Sequence, residues 1–278
     1  MKEIDIKINH GYVADEQKPE DYIFGASSLP QEVLQEDGNW SAFLPPDDFQ
    51  CERGIETYNC SGYGTAACLE ILMRRLFNSP ASYSERYIGI CAGTDPEKGG
   101  NSPQTVIETI RKVCGVIPDE MLPFSESLKN VEEYYTPKPM SADLLNIGIT
   151  WLKRYKVSHE WVNGNPESMK QALKLSPLGA AVYAWRMGPN GYYVRGGEDT
   201  HWVCIYGYED GKCWHIFDSY DQSHKKLDWN FGFSSVKRYH IDYTDENKTQ
   251  QISIIEKLIL LLQKLIQTMG SVIGLWKR

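Results

Sequence analysis

No two of the seven cysteines, at positions 51, 60, 68, 91, 114, 204 and 213, stand in a Cys-x-x-Cys spacing. Tetrahedral zinc sites built on that spacing therefore have no signature here, and neither a metal nor another cofactor is expected. An odd count also suits a disulfide framework poorly, and 278 residues are enough to build a core without such staples. Six of the seven are expected as small buried hydrophobes. Basic residues are in deficit: 29 Lys and Arg against 37 Asp and Glu give a net charge of −8. That balance excludes phosphate-backbone binding as the main task, so nucleic acid is not an expected partner. Long apolar runs are missing too. No stretch reaches the roughly 18–20 uncharged apolar residues that span a bilayer. The start, Met1-Lys2-Glu3-Ile4-Asp5, lacks the apolar run of a secretory leader, and a cytoplasmic location is expected.

What is present is ordinary for a folded chain: 41% hydrophobic and 24% charged residues, with material for one large domain or two lobes. Residues 1–44 read as a loop-rich lead-in. Phe43-Leu44-Pro45-Pro46 should run extended, because proline disfavours helix at the residue before it. An apolar helix follows over residues 60–78, with Cys60 and Ser61 at its start. A second helix is expected over 102–114, with Pro103 near its first turn and Gly115 past its end. The stretch 141–155 is amphipathic, helical or mixed, and 167–175 forms a short helix. The composition then turns to β, with apolar runs at 179–185, 202–208 and 213–217. The last two flank Glu209-Asp210-Gly211-Lys212, a strong hairpin signal. Helices first and strands later indicate an α+β protein with a helical and a β-rich lobe.

A thiol nucleophile needs a position that favours thiolate, a base within reach and a group that orients the base. Helix amino termini favour negative charge, and Cys60 has that placement; Cys68, two turns into the same helix, should be buried. Of the six histidines, His201 immediately precedes the first hairpin strand and Asp218 immediately follows the second. A hairpin folding back on itself makes them neighbours, with Asp218 able to hold the imidazole tautomer. His215 lies within the second strand, where a structural role is expected. Tyr183 and Trp185 are expected in the core rather than flanking a cleft.

These residues together resemble the papain-like cysteine peptidases, in which a Cys opens the central helix, a His begins one strand and an Asn or Asp ends the next. His201 lies 141 residues after Cys60, within the family's interval of roughly 130–150. Gly99-Gly100 and the segment Gly115-Val116-Ile117-Pro118-Asp119-Glu120-Met121-Leu122-Pro123-Phe124 occupy the places of the family's Gly-Gly loop and G-[IV]-x-x-E-x-x-P-[YF] segment. Asp218-Ser219-Tyr220 resembles the family's Asn-Ser-Trp, and Gly54 to Cys60 looks most like divergent bacteriophage-encoded members. The resemblance spans about residues 45–222. It implies a two-lobed papain-like domain over 45–245, with a helical lobe at about 45–135 and a β-rich lobe at about 136–245. It further implies hydrolysis of a polypeptide substrate by Cys60, His201 and Asp218. Gly99 and Gly100 would line the groove, and Tyr220 would shield the His–Asp pair. The sequence departs from the family at several points. The C-G-S-C-W box is absent and Ser61 follows the nucleophile. Asp218 stands where Asn is commoner. Position 54, six residues before the Cys, is Gly rather than the oxyanion-hole Gln. Gln50 takes that role if the loop carries an insertion. Residues 1–44 are short for an inhibitory propeptide. Two other functions remain open: a structural or virion-assembly module on the same fold, virion-associated rather than cytoplasmic, and an amidase or transglutaminase-like acyl transferase.

Residues 246–278 differ from the rest. Ile252, Ile255, Ile259, Leu262, Ile266, Met269, Ile273 and Trp276 follow a 3-4-3-4 spacing, a heptad seam, and Leu258, Leu261 and Leu265 widen it. Self-association through residues 250–278 is expected ahead of docking on the chain's own domain. Membrane-surface contact is the least expected, since Glu256, Lys257 and Lys264 interrupt the apolar run.

Overall fold

The structure is a computed structural model that describes residues 11–19, 21–220 and 223–276. A minimal hairpin, β1 (Cys51–Glu52) and β2 (Ile55–Glu56), leads into α1 (Cys60–Phe77), which is followed by α2 (Glu85–Ala92) and α3 (Pro103–Thr109). Then come α4 (Val131–Tyr134), α5 (Ala142–Arg154), β3 (Tyr155–Trp161) and α6 (Pro166–Leu173). The chain continues through β4 (Leu178–Val182), β5 (His201–Glu209), β6 (Cys213–Phe217), β7 (His224–Asp228), β8 (Val236–Tyr243) and α7 (Asp245–Trp276). Six strands form one antiparallel sheet in the order β3-β8-β4-β5-β6-β7.

Every residue of α1 from Cys60 to Met73 is buried, because the helix lies between the sheet on one side and α2 and α3 on the other. Burial on all sides explains why its sequence is apolar around the whole circumference rather than along one stripe. Each Leu or Ile so placed contributes about 1.5–3 kcal/mol relative to exposure. The helix stops at Asn78, which takes a left-handed conformation and returns its N–H to the Met73 carbonyl.

The α+β architecture matches the expectation, and elements differ in detail. The helix expected over 102–114 is regular only to Thr109, and Ile110–Cys114 is a π turn. That wider turn brings the Cys114 carbonyl onto Gly148 of α5, where a Cβ would stand 1.9 Å from it. Strands β3, β7 and β8 lay outside the expected set. In β8 the alternation is hidden by Lys237 and Arg238, which are buried yet partnered, Lys237 with Gln104 and Arg238 with Glu160. The tail is a single helix, α7. The side chains of Ile252, Ile273 and Trp276 in the expected seam lie outside the described residues, as do Lys277 and Arg278.

Candidate active site

Cys60 is the first residue of α1, and its position is fixed from behind by Asn59. The Asn59 amide donates to the Glu85 carbonyl at 2.8 Å and wedges between α1 and α2, where it leaves no room for side chains. A Cβ at Gly62 would stand 2.6 Å from Asn59 Oδ1, and one at Gly89 2.9 Å from Nδ2. Ser61, the residue after the thiol, donates from Oγ to the Asn101 carbonyl at 2.7 Å, so its side chain ties the helix start to the loop beyond α2. The Gly62 and Tyr63 N–H groups of the first turn donate back to the Asn59 carbonyl at 2.8 and 3.1 Å, and a helix amino terminus favours negative charge at the thiol.

His201 opens β5 and Asp218 follows β6. Cys204 pairs with Phe217 across the two strands, which places Asp218 diagonally from His201 on one face. His201 Nε2 meets Asp218 Oδ1 at 2.6 Å, and both side chains are fully buried. That bond turns Nδ1, the other ring nitrogen, away from Asp218, and the Cys60 sulfur lies close enough to act on the imidazole electrostatically. Burial works against a charged ring, but the Asp218 carboxylate and the Cys60 sulfur outweigh it and push His201 up to about 10. Cys60 and His201 are each 0% exposed.

Gln50 reaches the site because the extra residues between it and Cys60 are folded away. Residues 51–56 form the β1–β2 hairpin, with Cys51 opposite Glu56, and the Thr57 N–H returns to the Gln50 carbonyl at 3.2 Å. In the chain path Gln50 therefore stands next to Thr57, three residues before Cys60. Its side chain is buried, accepts from Ser219 Oγ at 3.0 Å and donates from Nε2 to Glu56 Oε1 at 2.8 Å.

Gly99 and Gly100 both have positive φ, as a bare loop requires, but this loop is not bare. The Gly11 carbonyl accepts from Asn101 N at 3.0 Å, and Val13 N donates to the Asn101 carbonyl at 3.1 Å. Gly11 itself is pinned between Tyr58 and Gly100, with no space for a Cβ at either glycine. Tyr12 is buried in one cluster with Cys60, Ala181 and Trp202, stacked on the Trp202 ring at 6.0 Å. Two aromatic rings meet His201 edge-on: Tyr220 at 6.4 Å and Trp185 at 5.8 Å. Trp185, expected in the core, is half-buried beside the imidazole.

Two residues at the site escaped the sequence reading. Lys225 lies on β7 opposite Ile216, and its Nζ meets Asp218 Oδ2 at 2.5 Å with both side chains fully buried. Its signal is a lysine at an inward position of an alternating strand, legible only once the register is known. Glu56, which holds the Gln50 amide, has no sequence signal.

Among the described residues, one group has donor atoms within 4.8 Å of one another: Glu209, Cys213 and His215 at the far end of the β5–β6 hairpin. Lys226 Nζ stands 2.7 Å from Glu209 Oε1, so the carboxylate already has a cation. Also among the described residues, no helix is long and apolar enough to cross a membrane.

Neither a protein-family model nor a curated protein matches the sequence. Solved structures do. Digestive procathepsin L 3 of the Tenebrio molitor larval midgut is 13% identical, with a TM-score of 0.55 over 83% of this chain and 76% of that one. The clostridial cysteine protease Cwp84 is 14% identical, with a TM-score of 0.59 over 74% of this chain and 57% of that one. A cysteine protease of Carica candamarcensis is 14% identical, with a TM-score of 0.53 over 76% and 98%. A sheet packed on a central helix that begins with Cys60, and these likenesses across most of the chain, give one conclusion: the chain has the papain-like fold.

Proposed function

We propose that the chain is a cysteine peptidase with Cys60 as nucleophile, His201 as acid and base, and Asp218 as the group that orients His201. One observation carries the reading. A thiol at a helix amino terminus lies beside a buried imidazole whose Nε2 is held by a carboxylate at 2.6 Å. The Cys60 thiolate attacks the peptide carbonyl carbon, forming the S–C bond. The backbone N–H of Cys60 and the Gln50 amide stabilise the oxyanion. Collapse breaks the C–N bond as His201 gives its proton to the leaving amine. His201 then takes a proton from water, which attacks the thioester and releases the acid and the thiolate.

The alkylation rate of each cysteine by iodoacetamide between pH 4 and 9, read by peptide mass spectrometry, tests the pair. Cys60 reacts at pH 5 faster than the other six, and His201→Ala removes that advantage. Cys60 reacting no faster than an ordinary thiol, both in the wild type and in Gly11→Ala, which displaces the segment packed beside it, would sink the reading. Turnover of a general peptide substrate, with Cys60→Ala as the inert control, then tests hydrolysis. Release of free acid without added amine separates hydrolysis from acyl transfer.

A second reading, the same fold serving as an assembly module, is favoured by the exposed apolar surface of α7. In it Ile255, Leu258, Ile259, Leu262, Ile266 and Met269 are each at least half exposed.

A further inference from the structure

We propose that Lys225 is the positioning residue that lets an aspartate, rather than a neutral amide, orient His201: it fixes the Asp218 carboxylate and balances its charge. The inference rests on the reading of Cys60 and His201 as a thiolate–imidazolium pair. Asp218 divides its oxygens between two cations, with Oδ1 at 2.6 Å from His201 Nε2 and Oδ2 at 2.5 Å from Lys225 Nζ. The ammonium is held in turn by the Tyr220 carbonyl at 2.6 Å and lies 5.1 Å from the centre of the Trp185 ring. That ring also meets the His201 edge, so one indole covers both cations. The Asp218 backbone is anchored separately, its N–H donating to the Ser223 carbonyl at 2.8 Å.

The charge balance gives the reason. A thiolate and an imidazolium sum to zero, and a neutral orienting amide leaves them so. A carboxylate adds one buried negative charge, which is costly in a dry site and binds the imidazole proton too firmly. An imidazole that cannot release its proton fails as a base when the thioester must be hydrolysed. Lys225 offsets that charge at the carboxylate oxygen His201 does not use. Among the described residues, the ionisable groups that act on His201 include Cys60 from the start of α1 and Asp218 from the turn after β6, and the Tyr220 ring meets it edge-on. Lys225 from β7 stands behind Asp218, on the oxygen that His201 does not use, and Glu56 and Cys51 lie beyond Tyr220 on the Gln50 side.

The test is the pH profile of Cys60 alkylation in the full-length chain, alongside peptide turnover. Three proteins are compared: wild type, Lys225→Met, and Asp218→Asn combined with Lys225→Met. Removing the lysine alone leaves the site with an extra negative charge. Both the rise of reactivity at low pH and the limb for loss of the imidazolium proton therefore move to higher pH, and turnover falls on the order of 10²-fold. The double variant, neutral at both positions, returns the profile toward wild type and recovers most of the turnover. A purely structural role for Lys225 predicts the opposite order, with the double variant as poor as the single or worse, and that order overturns the proposal. Superimposed profiles for wild type and Lys225→Met overturn it too, while leaving the thiolate–imidazolium pair intact. A Cys60 that reacts as an ordinary thiol in the wild type and in Gly11→Ala alike overturns both.

Discussion

At the scale of residues, acid groups outside the site set the pH dependence of stability. Asp48, Glu70 and Glu85 line a cavity of about 20 Å³ beneath Tyr63. Burial, reinforced by their mutual repulsion, pushes Glu70 up to about 8, Asp48 up to about 6, and Glu85 well above the carboxylate range. Glu70 also accepts from Tyr83 N at 2.6 Å, which does not offset the burial. A carboxyl raised above its ordinary 4.5 holds a proton in the folded chain that the unfolded chain has lost. Its contribution is therefore fully present below about pH 4.5 and lost as pH rises toward 8. His201, raised, acts in the same sense at higher pH. His159, driven down to about 4 by burial and by the charge of Lys237, costs stability as pH falls below its ordinary 6.5. The urea midpoint should fall between pH 6 and 8.5, and Glu70→Gln should flatten that fall by on the order of 1–3 kcal/mol. A midpoint that rises over this range would contradict the assignment. Cys60, His201 and Asp218 were legible because each stands at the end of an element, where sequence patterns change. Lys225 was not, because its role depends on the pairing of β6 with β7.

At the scale of elements, two short segments shape the site. The β1–β2 hairpin absorbs the residues between Gln50 and Thr57, so an interval of ten residues delivers Gln50 to the site's edge. The segment Gly11–Val13 occupies the loop at Gly100–Asn101, with Tyr12 buried beside Cys60. A lead-in expected only as loop is thus a cover. Gly11→Ala would put a Cβ 2.1 Å from the Tyr58 carbonyl, at a φ of +104° that disfavours any side chain. The segment should be displaced, and Cys60 alkylation should rise about tenfold or more as the closed fraction falls. An unchanged rate would show that the cover does not limit access. By contrast, Gly148→Ala forces a Cβ to within 1.9 Å of the Cys114 carbonyl and should lower stability by about 1–3 kcal/mol, without changing the pH at which Cys60 reacts.

At the scale of the whole molecule, the folded domain and α7 obey different rules. The domain buries its apolar residues in one main core. Over the described part of α7, large apolar side chains stay between 49% and 69% exposed. We propose that this surface is covered by pairing with copies of the same helix. Deleting residues 250–278 should lower the mass measured by light scattering to that of one chain, and an unchanged mass would remove the oligomer reading. The sequence by itself determined which segments are helical or extended where a long apolar run is bounded by turn formers, as in α1 and the two strands beside Asp210-Gly211. It also placed Cys60 at the start of a helix, His201 at the start of a strand and Asp218 just past the next, where the structure has them. Tertiary structure alone decided the rest. Strands β3 and β8 are strands because their polar side chains find buried partners across the fold. The Tyr12 cover and the Lys225–Asp218 pair arise from contacts between residues far apart in the chain or across a strand register. Such contacts leave no local period in the sequence, because what selects the residue is the charge or shape of a distant neighbour.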